Sequence, residues 1–182
     1  TTEATSFQSP LHFVTPTELV DLHSKGIGYN VRHPMNGKDI IEIRYMTAKD
    51  EDILTSKTLL NKGMAIERFL DNIIIDKSVK ASSLLVGDRN AIIIAARISG
   101  YGAEYNTNIT CPACSDTSNY NFDLNNKRVH ETNLDEKLGI TKTPEGLFKV
   151  TLPLTKFDVE FKLLTGEDEL YLSKMASNQA KN

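Results

Sequence analysis

A pattern written twice limits this chain more than any other feature of it. Val31-Arg32-His33-Pro34 followed by Ile41-Glu42-Ile43-Arg44-Tyr45-Met46-Thr47 returns as Val150-Thr151-Leu152-Pro153 followed by Val159-Glu160-Phe161-Lys162-Leu163-Leu164-Thr165, with one residue of slip in the turn. Apolar and charged residues alternate in both, which suits a strand with one wet face. Charge is matched as well, Glu42 with Glu160 and Arg44 with Lys162. Each copy then reaches a threonine with an aspartate three residues on, Thr47 with Asp50 and Thr165 with Asp168. That spacing caps a helix start, and the aspartate also favours the positive end of the helix dipole. Both copies therefore read as strand, turn, strand, capped helix. The expected fold class is α+β, with two similar β-hairpin-plus-helix units flanking a helical middle and a Cys-x-x-Cys knuckle.

The helical middle has two different helices. From Met64 to Ile75, the residues Ile66, Phe69, Leu70, Ile73 and Ile74 recur at helical spacing, so one face is apolar and is expected to be core. After Gly87, the run Ile92, Ile93, Ile94, Ala95, Ala96 and Ile98 leaves almost no polar stripe, so this helix needs enclosure by other elements or by a partner. Gly87 turns the chain into it, and Asp88 is expected to cap it. Upstream, Thr15-Pro16-Thr17-Glu18 predicts a short helix running to about Lys25 with Gly26 as its stop, and Asn36-Gly37 predicts a hairpin turn before Ile41.

Composition narrows the function classes. The 182 residues are 40% hydrophobic, enough for a real core in one compact unit or two small ones. The net charge is −3, so no global cationic field draws in a phosphate backbone, and nucleic acid is not an expected partner. The longest apolar runs fall far short of the ~20 residues of a membrane span, and the polar N-terminus has no secretory apolar region. The chain therefore reads as cytosolic.

Chemistry-bearing residues are sparse. Cys111 and Cys114, the only cysteines, form a Cys-x-x-Cys pair, a metal or redox pattern rather than a disulfide framework. Structural zinc needs four ligands, and no second pair exists; His130, Asp116 and Asp123 are the nearest completions. Ser115 stands where a glycine commonly follows such a knuckle. The isolated chain is expected to hold zinc substoichiometrically unless His130 or a second molecule completes the site. Gly87-Asp88-Arg89 lacks the glycines and the Gly-Lys-Ser/Thr ending of a phosphate loop. His12, His23, His33 and His130 are scattered, with no neighbour in sequence that would make a nucleophile-base pair. Asp50, Glu51 and Asp52 point in different directions on a helix, so dipole complementarity explains them better than acid-base work. No catalytic residue is expected.

One further set of segments carries a resemblance. Tyr45-Met46-Thr47-Ala48-Lys49-Asp50-Glu51-Asp52-Ile53-Leu54, then Leu85-Val86-Gly87-Asp88-Arg89, Gly100-Tyr101-Gly102, Ile109-Thr110-Cys111-Pro112-Ala113-Cys114 and Phe122-Asp123-Leu124 follow one another in an order that resembles the baseplate hub assembly proteins of T-even-type phages. The likeness spans roughly 30 to 124. It implies a chain that builds a tail through contacts with phage baseplate hub proteins, as a chaperone, a structural hub component, or both, in the host cytoplasm during assembly and in the virion baseplate if it stays. It implies no chemistry. The alternative is a small zinc-ribbon-like module binding nucleic acid or protein, which a second cysteine pair or a basic-aromatic strip would favour.

On this reading the chain divides into an N-terminal arm with a short helix (1–29), a hub-assembly core (30–124), a polar linker (125–148) and a C-terminal strand-helix unit (149–182). The last unit has no helical layer after its capped helix. A lone hairpin and short helix bury too little apolar surface, so the partner contact is expected there, at Thr165, Asp168, Leu170 and Leu172. Oligomers are compatible with the same logic.

Overall fold

The computed structural model describes residues 15–126 and 139–179. The fold is α+β, with small antiparallel sheets and five α-helices among the described residues. Strands β1 (Thr17–Asp21) and β2 (Ile40–Arg44) pair antiparallel, with Leu19 opposite Glu42 and Val20 opposite Ile41. Helices α1 (Ala48–Thr55), α2 (Lys57–Asn61) and α3 (Ala65–Ile73) follow. A single turn of tighter helix at Ala81–Ser83 leads into the long α4 (Val86–Tyr101).

Three departures from the sequence reading sit at the N-terminal end. Residues 15–25 are not a helix; Thr17–Asp21 is a strand, and turns follow it. The capping signals were local, whereas burial alternates: Val20 and Leu22 are buried while Leu19 and Asp21 face solvent. A period of two suits a strand once β2 supplies the hydrogen bonds. Val31 to Pro34 likewise lies in turns rather than in the strand that pairs with β2. Asn36-Gly37 is a turn, but it folds back on Gly26 instead of closing a hairpin. The Gly37 N–H donates to the Gly26 carbonyl at 3.1 Å, and a Cβ on Gly26 would lie 2.4 Å from the Lys38 nitrogen. With φ of +73°, Gly26 holds a backbone that only glycine adopts without strain.

The core gathers the inward residues of these elements. From α3 come Phe69, Leu70 and Ile73, with Ile74 just past its end; from the first sheet come Val20, Ile41 and Ile43. Ile74 also bridges Ile43, so the exit of α3 extends the far edge of β2. Helix α4 contributes Ala91, Ile92 and Ala96, all buried, while Ile94 and Ile98 stay half-exposed. Of the expected apolar face of α3, Ile66 is the exception, 38% exposed.

Beyond α4 the architecture becomes extended. Strands β3 (Glu104–Thr110) and β4 (Thr117–Asp123) form a seven-rung antiparallel hairpin with no buried residue. A three-stranded sheet follows, in the order β5 (Thr141–Lys142), β6 (Phe148–Thr151) and β7 (Asp158–Phe161). Part of the stretch read as linker thus carries β5 and the buried Phe148, which stacks on Phe161 at 5.4 Å. Helix α5 (Gly166–Gln179) ends the described chain.

Candidate functional site

Three helices carry an aspartate at the third helical position, and in two of them it reaches back to the segment before the helix. In α1 it is Asp50. Its carboxylate accepts from the Thr47 N–H (2.9 Å), Thr47 Oγ1 (2.7 Å), both Arg44 nitrogens (2.7 and 2.8 Å) and Asn72 Nδ2 (2.6 Å). Burial pushes this carboxyl up, but the hydrogen bonds from Arg44, Thr47 and Asn72 outweigh it and hold it well below the usual carboxylate range. In α5 it is Asp168, which accepts from the Thr165 N–H (3.0 Å), Thr165 Oγ1 (2.9 Å) and Lys162 Nζ (2.6 Å). The Lys162 ammonium first, then the Thr165 groups, bring its carboxyl down to about 2. Arg44 and Lys162 precede their aspartates by the same six residues.

The third aspartate, Asp88 of α4, is fully buried and does not cap in the expected way. The chain turns helical at Val86, and the Asp88 carboxylate instead gathers the N-terminal loop. It accepts from Ser24 N–H (2.9 Å), Ser24 Oγ (2.6 Å) and the Tyr29 hydroxyl (2.8 Å), while the Tyr29 oxygen accepts the Leu85 N–H at 3.0 Å. Burial, then the Asp88 charge, pushes the Tyr29 phenol far above its ordinary value. Every polar group here has a partner, which makes the cluster a clamp between the loop and α4.

The structure also brings His33 to Ser83, 2.9 Å from Nε2 to Oγ, a pair that sequence spacing does not reveal. The direction of the proton decides its chemistry. Met35 donates its N–H to Nδ1, so the neutral ring carries its hydrogen on Nε2 and donates to Ser83, which in turn donates to the Lys80 carbonyl. A base that activates a serine must accept from it. His33 stacks on Tyr29 at 4.5 Å, and burial lowers its basicity.

The second unit meets the rest of the chain at the start of α4. Val86 donates to the Leu164 carbonyl (2.9 Å), Gly166 donates to the Leu84 carbonyl (3.1 Å), and Arg89 pairs with Glu169 at 2.8 Å. Thr165 and Asp168, expected at a partner surface, are engaged with each other, and so shape the helix that presents Leu170 and Leu172. Beside this junction a groove of about 410 Å³ runs between α3 and α5, lined by Ile66, Arg89 and Leu170 among others. Past it α5 is exposed, with Leu170 at 39%, Tyr171 at 63% and Leu172 at 52%. The turn between β6 and β7 is more apolar still: Leu154 is 94% and Phe157 70% exposed. Sequence reasoning missed these two. The available signal was Leu152-Pro153-Leu154 in a turn, where polar residues are the rule.

Cys111 and Cys114 lie in the turn that joins β3 to β4, at the tip of the hairpin. Cys111 N–H donates to the Asp116 carbonyl and Ser115 N–H to the Cys111 carbonyl, both at 2.8 Å. Backbone N–H groups of Cys114 and Ala113 hydrogen-bond the Cys111 sulfur and lower the thiol's pKa. Of the completions suggested by sequence, Asp116 accepts its neighbour Thr117's N–H, and Asp123 stands at the base of the hairpin, opposite Glu104. His130 lies outside the described residues. No cluster of three or more His, Cys, Asp or Glu side chains suited to a metal occurs among the described residues. No described helix is long and apolar enough to cross a membrane.

No curated protein and no solved structure matches this chain. The family model described as T4 bacteriophage base plate protein matches residues 27–181, which takes in the first sheet's β2, the helical middle, the hairpin and the second unit. A match over that much of its length places the chain in the T4 bacteriophage base plate protein family.

Proposed function

We propose that this chain serves the assembly of the phage tail's baseplate hub, binding other hub proteins as a chaperone, as a lasting structural component, or in both capacities, and acting by contact rather than by catalysis. One observation carries the reading: the second unit leaves a set of large apolar side chains in solvent, Leu154 and Phe157 on one turn and Tyr171, Leu172 and Met175 on α5. Scattered exposed leucines need no explanation, but a turn and a helix of one small unit both exposed in this way fit a protein interface. In the first unit α3 packs against α1, and the exposed apolar residues, Leu19, Val31 and Leu60 among them, are spread over separate elements. A hub protein would cover these side chains, and assembly would take place in the host cytoplasm.

The test is a Leu154→Asp/Phe157→Asp double variant beside a Leu172→Asp variant, with a defined readout, the formation of baseplate hub complexes in a complementation assay. Both variants are expected to keep the wild-type circular dichroism spectrum, because these side chains are solvent-facing, and to lose hub assembly. Full assembly by both would sink the reading.

A further inference from the structure

The β3–β4 turn and the β6–β7 turn are the same object built from different residues. In the first, residue 111 donates to the carbonyl of residue 116 and residue 115 donates to the carbonyl of residue 111; in the second, Leu152 donates to Phe157 and Lys156 donates to Leu152, at 2.9 and 3.0 Å. Ser115 and Lys156 occupy the same left-handed position, at φ of 58° and 59°. Both turns carry proline second, Pro112 and Pro153. The flanking rungs match too, with Thr110 Oγ1 at 3.1 Å from Thr117 Oγ1, and Thr151 Oγ1 at 2.7 Å from Asp158. Cys111 therefore corresponds to Leu152 and Cys114 to Thr155. The second turn shows that this backbone forms without thiols. Two thiols at the corresponding positions of the first answer a chemical need, not a conformational one.

We propose that Cys111 and Cys114 form half of a tetrathiolate zinc site that a second copy of this chain completes, tip to tip, through the same two residues. The half-site is preformed: the backbone bonds of the turn, from the Cys111 N–H to the Asp116 carbonyl and from the Ser115 N–H to the Cys111 carbonyl, hold both cysteines at one tip. Its own chain offers no described third ligand. Asp116 is tied to Thr117, and Asp123 is six rungs away, about 20 Å at the rise of an antiparallel strand. A second tip offers what is lacking, two more thiolates in the same geometry, related by a two-fold axis. The hairpin suits such a contact. It carries Tyr105, Ile109, Tyr120 and Phe122 on one face, each more than 40% exposed, and polar residues on the other. A two-stranded ribbon this bare is marginal by itself. Binding is balanced by proton release: one zinc ion and four thiols give four Zn–S bonds and four protons passed to solvent.

The experiment uses the full chain, purified with a non-thiol reductant and titrated with zinc, read by elemental analysis and sedimentation equilibrium. The expected result is one zinc per two chains, a zinc-dependent dimer, and a tetrathiolate absorption spectrum when cobalt replaces zinc. Cys111→Ser and Cys114→Ser should each abolish zinc binding and the dimer together while leaving the circular dichroism spectrum unchanged. One zinc per monomer, lost in His130→Ala, would show that the chain closes its own site and overturn the proposal. A dimer indifferent to chelator, or no zinc uptake by the folded chain, would do the same.

Discussion

The two capped units share a local code and differ in what lies above it. In the first, Arg44 and Asp50 have side-chain exposures of 19% and 0%, and Asn72 of α3 closes over the aspartate. In the second, Lys162 and Asp168 are at 53% and 23%, with no counterpart of α3 among the described residues. Threonine cap, third-position aspartate and basic residue six positions upstream are common to both. The same constellation is thus a buried clamp in one place and a surface cap in the other, and the neighbouring layer decides which. The residue types follow: a planar guanidinium grips Asp50 with two nitrogens, whereas an ammonium on a flexible stem suffices for Asp168.

Removing each aspartate tests this contrast most severely. Asp50→Ala leaves Arg44 largely buried without its counter-charge and strips Asn72 and Thr47 of their acceptor, a loss expected to cost ~3–5 kcal/mol. Asp168→Ala removes an N-terminal cap and a surface pair, worth about 1 kcal/mol. Thermal or denaturant unfolding of the two variants measures both. Losses of equal size would break the comparison.

Exchanging the bases gives a smaller effect with the same sign. Arg44→Lys keeps the charge but gives up the two-nitrogen grip inside a covered site, and ~1–2 kcal/mol is expected. Lys162→Arg, in solvent, should stay within about 0.5 kcal/mol of wild type. A double-mutant cycle between positions 44 and 50, set against the cycle between 162 and 168, isolates the pair terms.

The same contrast explains what could be read from sequence. The two helix starts were legible because a threonine three residues before an aspartate is a local device, and the alternation at Ile41 to Arg44 and at Val159 to Phe161 was legible for the same reason. The strand opposite β2 was not. Its sequence from Thr15 to Glu18 carries helix-start signals, and only the long-range pairing with Ile40–Arg44 overrides them. The duplicated turn was misassigned as well: Val150 to Pro153 was matched to Val31 to Pro34 by side-chain type, whereas the backbone bonds match it to Ile109 to Pro112. Asp88 looked like a cap because the partners that make it a clamp, Ser24 and Tyr29, lie about sixty positions away. The exposure of Leu154 and Phe157 was hidden for the converse reason, since no pattern within a strand says that nothing packs against its turn.

The smallest effect expected is in acid. Both aspartates have carboxyls held below the ordinary 3.8, Asp168 to about 2 and Asp50 lower. A carboxyl depressed in the folded state adds stability that is full above its unfolded value and is lost as pH falls toward its folded value. As pH drops from about 4 to about 2, the unfolded chain takes up protons at both sites while the folded chain resists. By about pH 2 most of the contribution of Asp168 is therefore lost, while that of Asp50 is still declining. Helix α5 should fray first, because Asp168 is then half-protonated and Lys162 has lost part of its partner, while Asp50 keeps its charge and α1 its start. Carboxyl carbon chemical shifts followed by NMR from pH 5 to pH 2 would show it: Asp168 should approach its midpoint near the end of that range and Asp50 should barely move. Parallel titration of the two carboxyls would mean that burial under α3 gives Asp50 no protection beyond what a surface cap gives Asp168.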